Sequence, residues 1–332
     1  MSKVPVLVTG GAGYIGSHAV LALKDAGWAV AVIDDLSNGT REAVPADVPF
    51  TEGNIADRPL VDRILAEQQI GAILHFAGSI VVPESVEQPL KYYANNTLAS
   101  HALITAAVTA GVAHIVFSST AAVYGSPERV PIEEDDPKQP INPYGASKLM
   151  TERMLADASA AYPFNYAALR YFNVAGADPD GRAGQIGKGS THLIKIAVEA
   201  AVGKREHVDV FGTDYPTPDR TCVRDYIHVS DLASVHVAAL ERLIEGPEDN
   251  LVLNCGYGQG LSVLQVLDAV DRVNGAPVPR VTGPRRAGDP PQLIASNRAL
   301  LETLDWHPAH AGIDTIVGHA LAWERKLAER VG

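Results

Sequence analysis

The sequence predicts an α/β fold, in which a doubly wound parallel sheet is followed by a smaller C-terminal mixed α/β lobe. Two features predict the sheet: apolar runs such as VPVLVTG have the length of buried strands, and stretches with helical periodicity separate them. From Ala175 onward, loops rich in glycine and proline separate shorter elements, which predicts the lobe. We therefore expect one domain over residues 1–174 and another over 175–332, with the chain crossing between them more than once.

The elements of the first half alternate regularly. VPVLVTG is the first predicted strand, residues 14–26 form the first helix, and WAVAVIDD is the second strand. AILHFAG and HIVFSST are two further strands, with a helix over residues 96–110 between them. Because buried apolar strands that alternate with helices pair in parallel, this order predicts helices on both faces of one sheet. The acidic stretch PERVPIEEDDPKQP, residues 127–140, is predicted to be a solvated loop whose charges need no partner.

The composition limits the classes of partner. Twenty-seven basic and 39 acidic residues in a chain of 332 give a net charge of -12, which removes the main electrostatic attraction to nucleic acid. The N-terminus lacks the apolar region of a signal peptide, and no apolar segment approaches the length of a membrane span. The two cysteines, Cys222 and Cys255, form neither a metal-ligand pattern nor a disulfide framework. We expect a cytoplasmic protein with no metal, nucleic-acid or membrane partner.

A glycine-rich turn follows the first strand and precedes the first helix. TGGAGYIG, Thr9–Gly16, contains the G-x-G-x-x-G spacing that ends at Gly16 and a wider spacing that begins at Gly10. Such glycines allow a tight turn and a close approach to a pyrophosphate, which the helix N-terminus attracts. Asp34 and Asp35 end the second strand, and Asp34 lies 18 residues beyond Gly16, near the ~20 expected for a carboxylate on the adenosine ribose. Because a carboxylate repels a 2'-phosphate, NAD is predicted rather than NADP; an ordinary glycine-rich turn is the less favoured alternative.

The stretch NPYGASK, residues 142–148, predicts a helix that begins with a tyrosine and a lysine on one face. Asn142 suits the N-cap, Pro143 suits the first turn, and Tyr144 and Lys148 are four residues apart. Beside NAD, the phenolate of Tyr144 could remove a hydroxyl proton, if its pKa falls by about three, or roughly 4 kcal/mol. An ammonium about 5 Å away contributes around 3 kcal/mol at an effective dielectric of about 20, so Lys148 is expected to supply most of this. A solvated surface pair is the alternative reading of the motif alone.

Hydroxyl groups end another predicted strand. HIVFSST finishes with Ser118, Ser119 and Thr120, at the carboxyl edge where ligands bind in parallel sheets. Thr120 is predicted to hydrogen-bond the reacting oxygen. The alternative is that its hydroxyl only caps the end of the strand.

Seven motifs, taken in order, resemble the extended short-chain dehydrogenase/reductases, and most closely their UDP-glucose 4-epimerase (UDP-galactose 4-epimerase) family. The motifs are TGGAGYIG, IDDLSNG, HFAG, FSSTAAVYG, NPYGASK, RYFN and VRDYIHVSDLA. The resemblance implies a Rossmann domain, a UDP-sugar lobe, a tightly retained NAD and a homodimer packed through two helices per subunit. It also implies reversible 4-epimerisation of UDP-glucose and UDP-galactose through a 4-keto intermediate, with transient hydride transfer to the bound NAD.

The resemblance assigns site residues position by position. The catalytic residues are Tyr144, Lys148 and Thr120. The residues predicted to bind the cofactor are Gly10, Gly13, Tyr14, Ile15, Gly16, Asp34, Asp35, Leu36, Ser37, Asn38, Gly39, Asn54, Ile55, Phe76, Ala77, Gly78, Asn96, Tyr144, Lys148 and Phe172. The residues predicted to bind the substrate are Thr120, Tyr144, Asn173, His192, Leu193, Phe211, Arg224, Arg286, Asp289 and Leu293.

Charge supports one of these assignments independently. A UDP-sugar carries two negative charges, so an acidic protein must concentrate cations locally to bind it, and guanidinium is the preferred partner of phosphate. This argument favours Arg286 as a phosphate ligand. For its neighbour Arg285, a solvated position on a loop is the plausible alternative.

The chain departs from the family pattern at several positions. Asn54 replaces a familiar acidic adenine contact, and Ile80 replaces a lysine, which predicts a somewhat less firmly held NAD. His192 stands where many relatives carry asparagine. Leu293, of intermediate size at the wall near the sugar 2-position, predicts a preference for plain hexoses with some use of N-acetylated ones.

Other reactions of the same family are weighed by the residues after Thr120. Dehydratases carry an acidic pair there, whereas this chain has Ala121 and Ala122, so elimination of water would lack its acid and base. Two alternatives stay open: a 4-epimerase of another nucleotide sugar (UDP-GlcNAc/GalNAc or UDP-xylose/arabinose), and a non-catalytic nucleotide-binding sensor.

Overall fold

The structure is a computed structural model that describes residues 3–186, 190–246, 249–286 and 289–329. Thirteen strands lie within these ranges: β1 Val6–Thr9, β2 Val30–Asp34, β3 Phe50–Glu52, β4 Ala72–His75, β5 His114–Thr120, β6 Asn165–Tyr171, β7 Asn173–Ala175, β8 Val208–Phe211, β9 Val223–His228, β10 Leu251–Cys255, β11 Gly260–Ser262, β12 Arg280–Gly283 and β13 Gln292–Leu293.

Eleven α-helices accompany these strands in the same ranges. They are α1 Tyr14–Asp25, α2 Arg58–Glu67, α3 Val82–Glu87, α4 Pro89–Tyr92, α5 Ala99–Ala110, α6 Pro143–Ala161, α7 Leu193–Ala201, α8 Val229–Glu245, α9 Val263–Asn274, α10 Arg298–Thr303 and α11 Ile313–Glu329. The helix expected over residues 96–110 begins as a π-helix, Tyr93–Leu98, which continues into α5.

Seven strands form one sheet in the order β10-β6-β5-β4-β1-β2-β3, and every pairing in it is parallel. Consecutive residues of a strand face opposite sides, so Leu7 and Val8 of β1 enter two different apolar clusters. The cluster around Val8 includes residues of α1 and α8, and the cluster around Leu7 includes residues of α2 and α5. The predicted doubly wound fold is confirmed, because helices cover both faces of a parallel sheet.

The second half of the chain builds a smaller lobe. Its four-stranded sheet has β9 at the centre, with β11 antiparallel to it and β7 and β13 parallel. A separate pair joins β8 and β12. Helices α7, α9 and α11 close a third apolar cluster beneath these strands. This mixed α/β arrangement agrees with the predicted lobe.

The chain returns to the large sheet after β9. Helix α8 packs against α1, and β10 pairs with β6 at the edge of the seven-stranded sheet. Later, Leu300 and Trp306 enter the same apolar cluster as Val8. The predicted division of the chain into two domains at residue 174 stays a prediction. Strand β10 follows residue 174 in the chain but belongs to the large sheet.

The prediction that residues 127–140 are a solvated loop without partners is wrong. Ile132 is fully buried, and its backbone bonds to Ile294 and Ser296. Arg129 forms ion pairs with Glu133 at 3.1 Å and with Asp136 at 2.6 Å. The physical reason is that one isoleucine within the charged run anchors the segment in an apolar cluster, which brings the charges close enough to pair.

Both cysteines are buried and unpaired. Among the residues that the structure describes, no helix is long and apolar enough to cross a membrane, and no group of His, Cys, Asp and Glu side chains is arranged to hold a metal ion.

Candidate active site

The glycine-rich turn joins β1 to α1 at the carboxyl edge of the large sheet. Gly10 has a positive φ of 70°, and a Cβ on it would lie 2.6 Å from the backbone nitrogen of Ala77. The N-cap of α1 is Gly13, and no described side chain caps the first turn of this helix. The amides of that turn can therefore bind an external anion, such as the pyrophosphate of a dinucleotide.

The acidic pair after β2 lies beside this turn. Asp34 accepts hydrogen bonds from the backbone nitrogens of Ala12 and Leu36, both at 2.9 Å. Burial raises the pKa of Asp34, and these two amides counteract that effect. Asp35 accepts from Ser37 and, at 3.2 Å, from the side chain of Asn54. The residues predicted to contact the ribose and the adenine thus lie close together, with Asn54 beside Asp35.

Other predicted cofactor residues follow the second and third strands. Leu36 has a φ of 56°, and Ser37 and Asn38 after it are exposed. Gly39 packs so closely on Ala12 that a Cβ would overlap the carbonyl group there. Ile55 is buried in an apolar cluster, so only its backbone remains for a ligand.

The aromatic members of the predicted cofactor set have different surroundings. Tyr14 donates from its hydroxyl to the carbonyl of Gly176 at 2.7 Å, and Ile15 packs against the core. Phe76 stacks against His236, with ring centroids 4.7 Å apart. Phe172 lies further away along the chain, against the small cluster that contains Ile132.

Asn96 connects the loop after β4 to helix α6. Its side chain accepts from the nitrogen of Ser79 at 2.7 Å and donates to the hydroxyl of Ser147 at 3.0 Å. A Cβ on Gly78 would lie 2.9 Å from Asn96 Oδ1 and 3.9 Å from Lys148 Nζ. Asn96, Gly78 and Lys148 are therefore neighbours, as the predicted cofactor site requires.

The tyrosine and lysine are positioned by the start of α6. Asn142 Oδ1 accepts from the nitrogen of Gly145 at 2.8 Å, which confirms the predicted N-cap. Tyr144 and Lys148 are both buried, so the alternative of a solvated surface pair is excluded. Lys148 Nζ donates to the carbonyl of Ser118 at 3.0 Å and lies 4.9 Å from the centre of the Phe117 ring.

Thr120 caps the end of its strand and also lies against Tyr144. Its hydroxyl accepts from the nitrogen of Ala122 at 3.1 Å, so it does cap the end of β5. The same hydroxyl also hydrogen-bonds the phenol of Tyr144. Thr120 is therefore placed against the group predicted to act as the base.

Burial is the main influence on the pKa of Tyr144. Burial raises the pKa of the phenol, and the hydrogen bond from Thr120 lowers it only in part. Burial also lowers the pKa of Lys148 to about 8, against the opposing charge of Glu152. That Lys148 supplies most of the stabilisation of the phenolate stays a prediction, since burial and the hydrogen bond from Thr120 are the influences resolved on this phenol.

The charged substrate residues lie on the lobe. Arg224 on β9 pairs with Asp289 at 2.5 Å, and Arg224 also donates to the carbonyl of Val223. Arg286 stacks on Phe211 with its guanidinium carbon 3.9 Å from the ring centre. None of the carboxylates in the described part of the chain pairs with Arg286, which is exposed.

Arg285 differs from its neighbour. Its guanidinium pairs with Asp214 at 2.7 Å and stacks over Tyr215 at 4.2 Å. Because these contacts already use its charge, Arg285 is less suited than Arg286 to bind an external phosphate.

The remaining substrate residues occupy two positions. Leu293 on β13 packs with Phe172 against the cluster that contains Ala121, next to Thr120. Asn173 begins β7 immediately after Phe172.

His192 and Leu193 lie at the start of α7, where His192 Nδ1 is 3.3 Å from the side-chain nitrogen of Gln185 and Leu193 packs against the lobe core. Among the described contacts, neither residue touches Tyr144. The segment at 187–189, which precedes them, lies outside the described residues.

Several residues around the pair were not found from the sequence. The ring of Tyr92 packs edge-on to Tyr144, with centroids 6.5 Å apart. The hydroxyl of Tyr171 lies 2.7 Å from that of Ser118. Glu152, one turn beyond Lys148, forms a buried pair with Arg170 at 2.6 Å. Only Glu152 had a sequence signal, since it continues the four-residue spacing of Tyr144 and Lys148.

A parallel sheet with an uncapped glycine-rich turn and a buried tyrosine–lysine pair at one edge defines a short-chain dehydrogenase/reductase. The chain belongs to the NAD dependent epimerase/dehydratase family, whose model matches residues 6–256.

Three relatives give the extent of the similarity. A UDP-glucose 4-epimerase from Azospirillum brasilense is 58% identical over 98% of this chain and 94% of that protein. The crystal structure of UDP-glucose 4-epimerase from Brucella ovis in complex with NAD has a TM-score of 0.93 at 44% identity, covering 97% of this chain and 98% of that one. The structure from Bifidobacterium longum in complex with NAD+ and UDP has a TM-score of 0.91 at 38% identity, with coverage of 97% and 98%. The resemblance predicted from the motifs is confirmed.

Proposed function

We propose that this protein is an NAD-dependent UDP-glucose 4-epimerase, which interconverts UDP-glucose and UDP-galactose through a 4-keto intermediate. The observation that carries the proposal is the contact of Tyr144 with Thr120, on the same helix as Lys148 and at the same carboxyl edge of the sheet as the glycine-rich turn. The identity of 58% to a UDP-glucose 4-epimerase supports the substrate. Ala121 and Ala122 provide no acid or base for a dehydratase, and the intact Tyr144 and Lys148 argue against a silent sensor.

The predicted cofactor residues fit NAD. When bound, NAD supplies a hydride acceptor and, in its oxidised form, a positive charge. The first turn of α1 would hold the pyrophosphate, and Asp34 with Asp35 would accept from the ribose hydroxyls. Asn54, next to Asp35, would contact the adenine, and Asn96 would hold the loop after β4 against it.

The protein side of the reaction is a proton transfer. Tyr144 takes the proton from O4 of the sugar and returns it after the sugar has turned over, while Thr120 hydrogen-bonds the phenol. Lys148 provides a fixed positive charge against the phenolate, because its ammonium is held on the carbonyl of Ser118.

The lobe anchors the nucleotide while the sugar turns. Phe211 with Arg286 and Arg224 with Asp289 form two anchoring pairs for uridine and pyrophosphate. Phe172, Asn173 and Leu293 would form the wall of the sugar pocket. The contacts of His192 and Leu193 with substrate stay part of the same proposal.

Replacing Arg286 with alanine is expected to raise the KM for UDP-galactose by 10- to 100-fold, which corresponds to about 1.5–3 kcal/mol for a charge-assisted hydrogen bond. The kcat should change little, since Arg286 does not touch the reacting carbon. Arg285→Ala is the matched control, because Arg285 is already paired with Asp214 and should shift KM by less than about threefold. Steady-state kinetics on both variants measure the difference, and equal effects would contradict the assignment of Arg286.

The whole proposal is tested by incubating the purified protein with UDP-galactose, without added cofactor, and separating the products. UDP-glucose should form until the two sugars reach equilibrium. A parallel incubation with UDP-N-acetylgalactosamine should show a lower kcat/KM, as Leu293 predicts. Absence of UDP-glucose even after NAD is added would refute the function, and equal kcat/KM for both sugars would refute the preference.

We also propose that the chain forms a homodimer in the cytoplasm. Val86, Leu90, Leu98 and Met150 are exposed by 63%, 80%, 66% and 45%, and they lie on elements that pack against or belong to α6. A second copy of the chain could cover this apolar face with its own, so two helices of each subunit would meet. Sedimentation equilibrium should give twice the mass of the chain. The two buried, unpaired cysteines support a reducing compartment.

A further inference from the structure

Glu152 belongs to the same helix face as the predicted catalytic pair. Tyr144, Lys148 and Glu152 follow each other at intervals of four residues along α6, so they form one stripe. Glu152 is only 6% exposed. One of its carboxylate oxygens accepts from the Ser119 hydroxyl and, at 3.0 Å, from Arg170 Nε. The other carboxylate oxygen accepts from a terminal nitrogen of Arg170 at 2.6 Å. The guanidinium therefore forms a bidentate pair with Glu152.

Two consecutive residues of β5 hold two consecutive turns of α6. The carbonyl of Ser118 accepts from Lys148 Nζ at 3.0 Å, and the hydroxyl of Ser119 donates to Glu152. The lysine and the glutamate are thereby fixed to one strand and to each other. A shift of Glu152 along or away from β5 would move Lys148 with it.

Arg170 extends this arrangement to other parts of the fold. It donates to the hydroxyl of Tyr124 at 2.9 Å and to the carbonyl of Glu134 at 3.0 Å. Tyr124 in turn donates to Asn254 on β10 at 2.7 Å. A buried ion pair contributes little net stability, and apolar residues of similar volume often replace one without loss. The stability of the fold therefore gives no sufficient reason for placing this pair directly beneath the active site.

We propose that Glu152 is a positioning residue for the reaction, which acts on Tyr144 through Lys148 and is itself held by Ser119 and Arg170. The inference rests on the proposed function, because it assigns Glu152 a part in that chemistry. Glu152 makes no contact with substrate in this role, so it should influence kcat and not KM.

The charges around the lysine support this role. Burial lowers the pKa of Lys148 to about 8, and the charge of Glu152 opposes this shift. Two other titratable groups lie near Lys148: Tyr144, one turn earlier on the same helix, and His75 on β4, which interacts with the charge of Lys148. Burial and the charge of Lys148 lower the pKa of His75 to about 3, so His75 is neutral near pH 7.

The charge of Glu152 is felt by groups on other elements as well. These groups are Arg170 on β6, Tyr166 on β6 and Lys138 in the preceding loop. Removing the negative charge should lower the pKa of Lys148 further, because burial then acts with less opposition. The ammonium form of Lys148, which is present below this pKa and is the form that stabilises the phenolate, would then be lost at a lower pH.

The test compares the full-length protein with its Glu152→Gln variant. We expect the alkaline limb of the kcat profile to move to lower pH by about one unit, with KM for UDP-galactose unchanged. The titration of Lys148 itself is followed by NMR of protein labelled with ¹⁵N at lysine Nζ. The Lys148 resonance is the one that disappears in the Lys148→Met variant. The pKa obtained from this resonance should fall in Glu152→Gln by the same amount as the alkaline limb of kcat.

Two further variants separate charge from structure. Glu152→Asp keeps the charge and should restore most of the lysine pKa. Asp157→Asn removes a negative charge from an exposed position of the same helix, where Asp157 pairs with Arg153, and should leave both readouts unchanged. If Glu152→Gln leaves Arg170 unpaired and does not fold, the double variant Glu152→Met with Arg170→Met takes its place. It should show a smaller downward shift, since the positive charge of Arg170 is removed together with the carboxylate that it pairs.

An unchanged Lys148 titration in folded Glu152→Gln, or in the folded double variant, would overturn the inference. The same holds if Asp157→Asn shifts the lysine as strongly as Glu152→Gln. Lack of turnover by the unaltered protein would instead refute the proposed function, and the NMR titration would still decide whether Glu152 controls Lys148.

Discussion

Replacing Tyr144 with phenylalanine is expected to lower kcat by about 10³-fold, within the range of 10²- to 10⁴-fold for loss of a general base. The phenol is buried and hydrogen-bonded to Thr120, and it is the group on α6 that can exchange a proton with O4 of the sugar. The variant should keep its NAD and its fold, because the ring and its packing against Tyr92 are retained. Single-turnover and steady-state assays with UDP-galactose measure the loss.

Tyr171→Phe is the matched control for this change. Tyr171 is a neighbouring tyrosine whose hydroxyl bonds to Ser118, and it takes no part in the proposed proton transfer. Its loss should change kcat by less than about fivefold, the effect of one neutral hydrogen bond near 1 kcal/mol. If Tyr144→Phe retained more than a tenth of the activity, or if the two variants were equally impaired, Tyr144 would not be the base.

A methyl group on Gly16 should remove the bound cofactor. In the Gly16→Ala variant, the added carbon would overlap the carbonyl oxygen of Gly10, so the turn between β1 and α1 must open. Overpacking of this kind costs about 1–3 kcal/mol in stability. Because the same turn is predicted to approach the pyrophosphate, NAD affinity should fall by about 100-fold or more, close to 3 kcal/mol. The nucleotide released from denatured protein and the melting temperature measure the two effects.

Gly318→Ala provides the comparison. Gly318 lies within α11, and apart from its chain neighbours and the backbone of its own helix, no described atom lies within 4 Å of the position that its Cβ would occupy. Alanine should stabilise this helix by roughly 0.5–1 kcal/mol and leave the NAD content unchanged. Full retention of NAD by Gly16→Ala would show that the turn does not hold the pyrophosphate.

Local signals in the sequence predicted much of the fold. The apolar runs that became β1, β2, β4 and β5 are buried on both sides, and Asn142 starts α6 as an N-cap through a contact only three residues away. The positions of Tyr144 and Lys148 followed from the same short stretch. Such features depend on neighbours along the chain, so they can be recognised before any tertiary structure is known.

Long-range features could not be predicted in the same way. Arg170 meets Glu152 across two elements, and Tyr124 meets Asn254 across 130 positions. The burial of Ile132 depends on Ala121, Val123 and Tyr124, which lie on another segment. The upward shift in the pKa of Tyr144 could not be foreseen for a related reason, since the degree of burial depends on how several elements close around the phenol.

The return of the chain to the large sheet at β10 affects how the protein can come apart. A fragment that ended after β6 would lack both an edge strand of the large sheet and the helix that covers α1. A backbone bridge between Ile132 and Ala295 also joins the loop after β5 to the lobe. Because the two parts are interlaced in this way, neither can melt without disrupting the other, and heating should produce one cooperative calorimetric transition for the whole polypeptide.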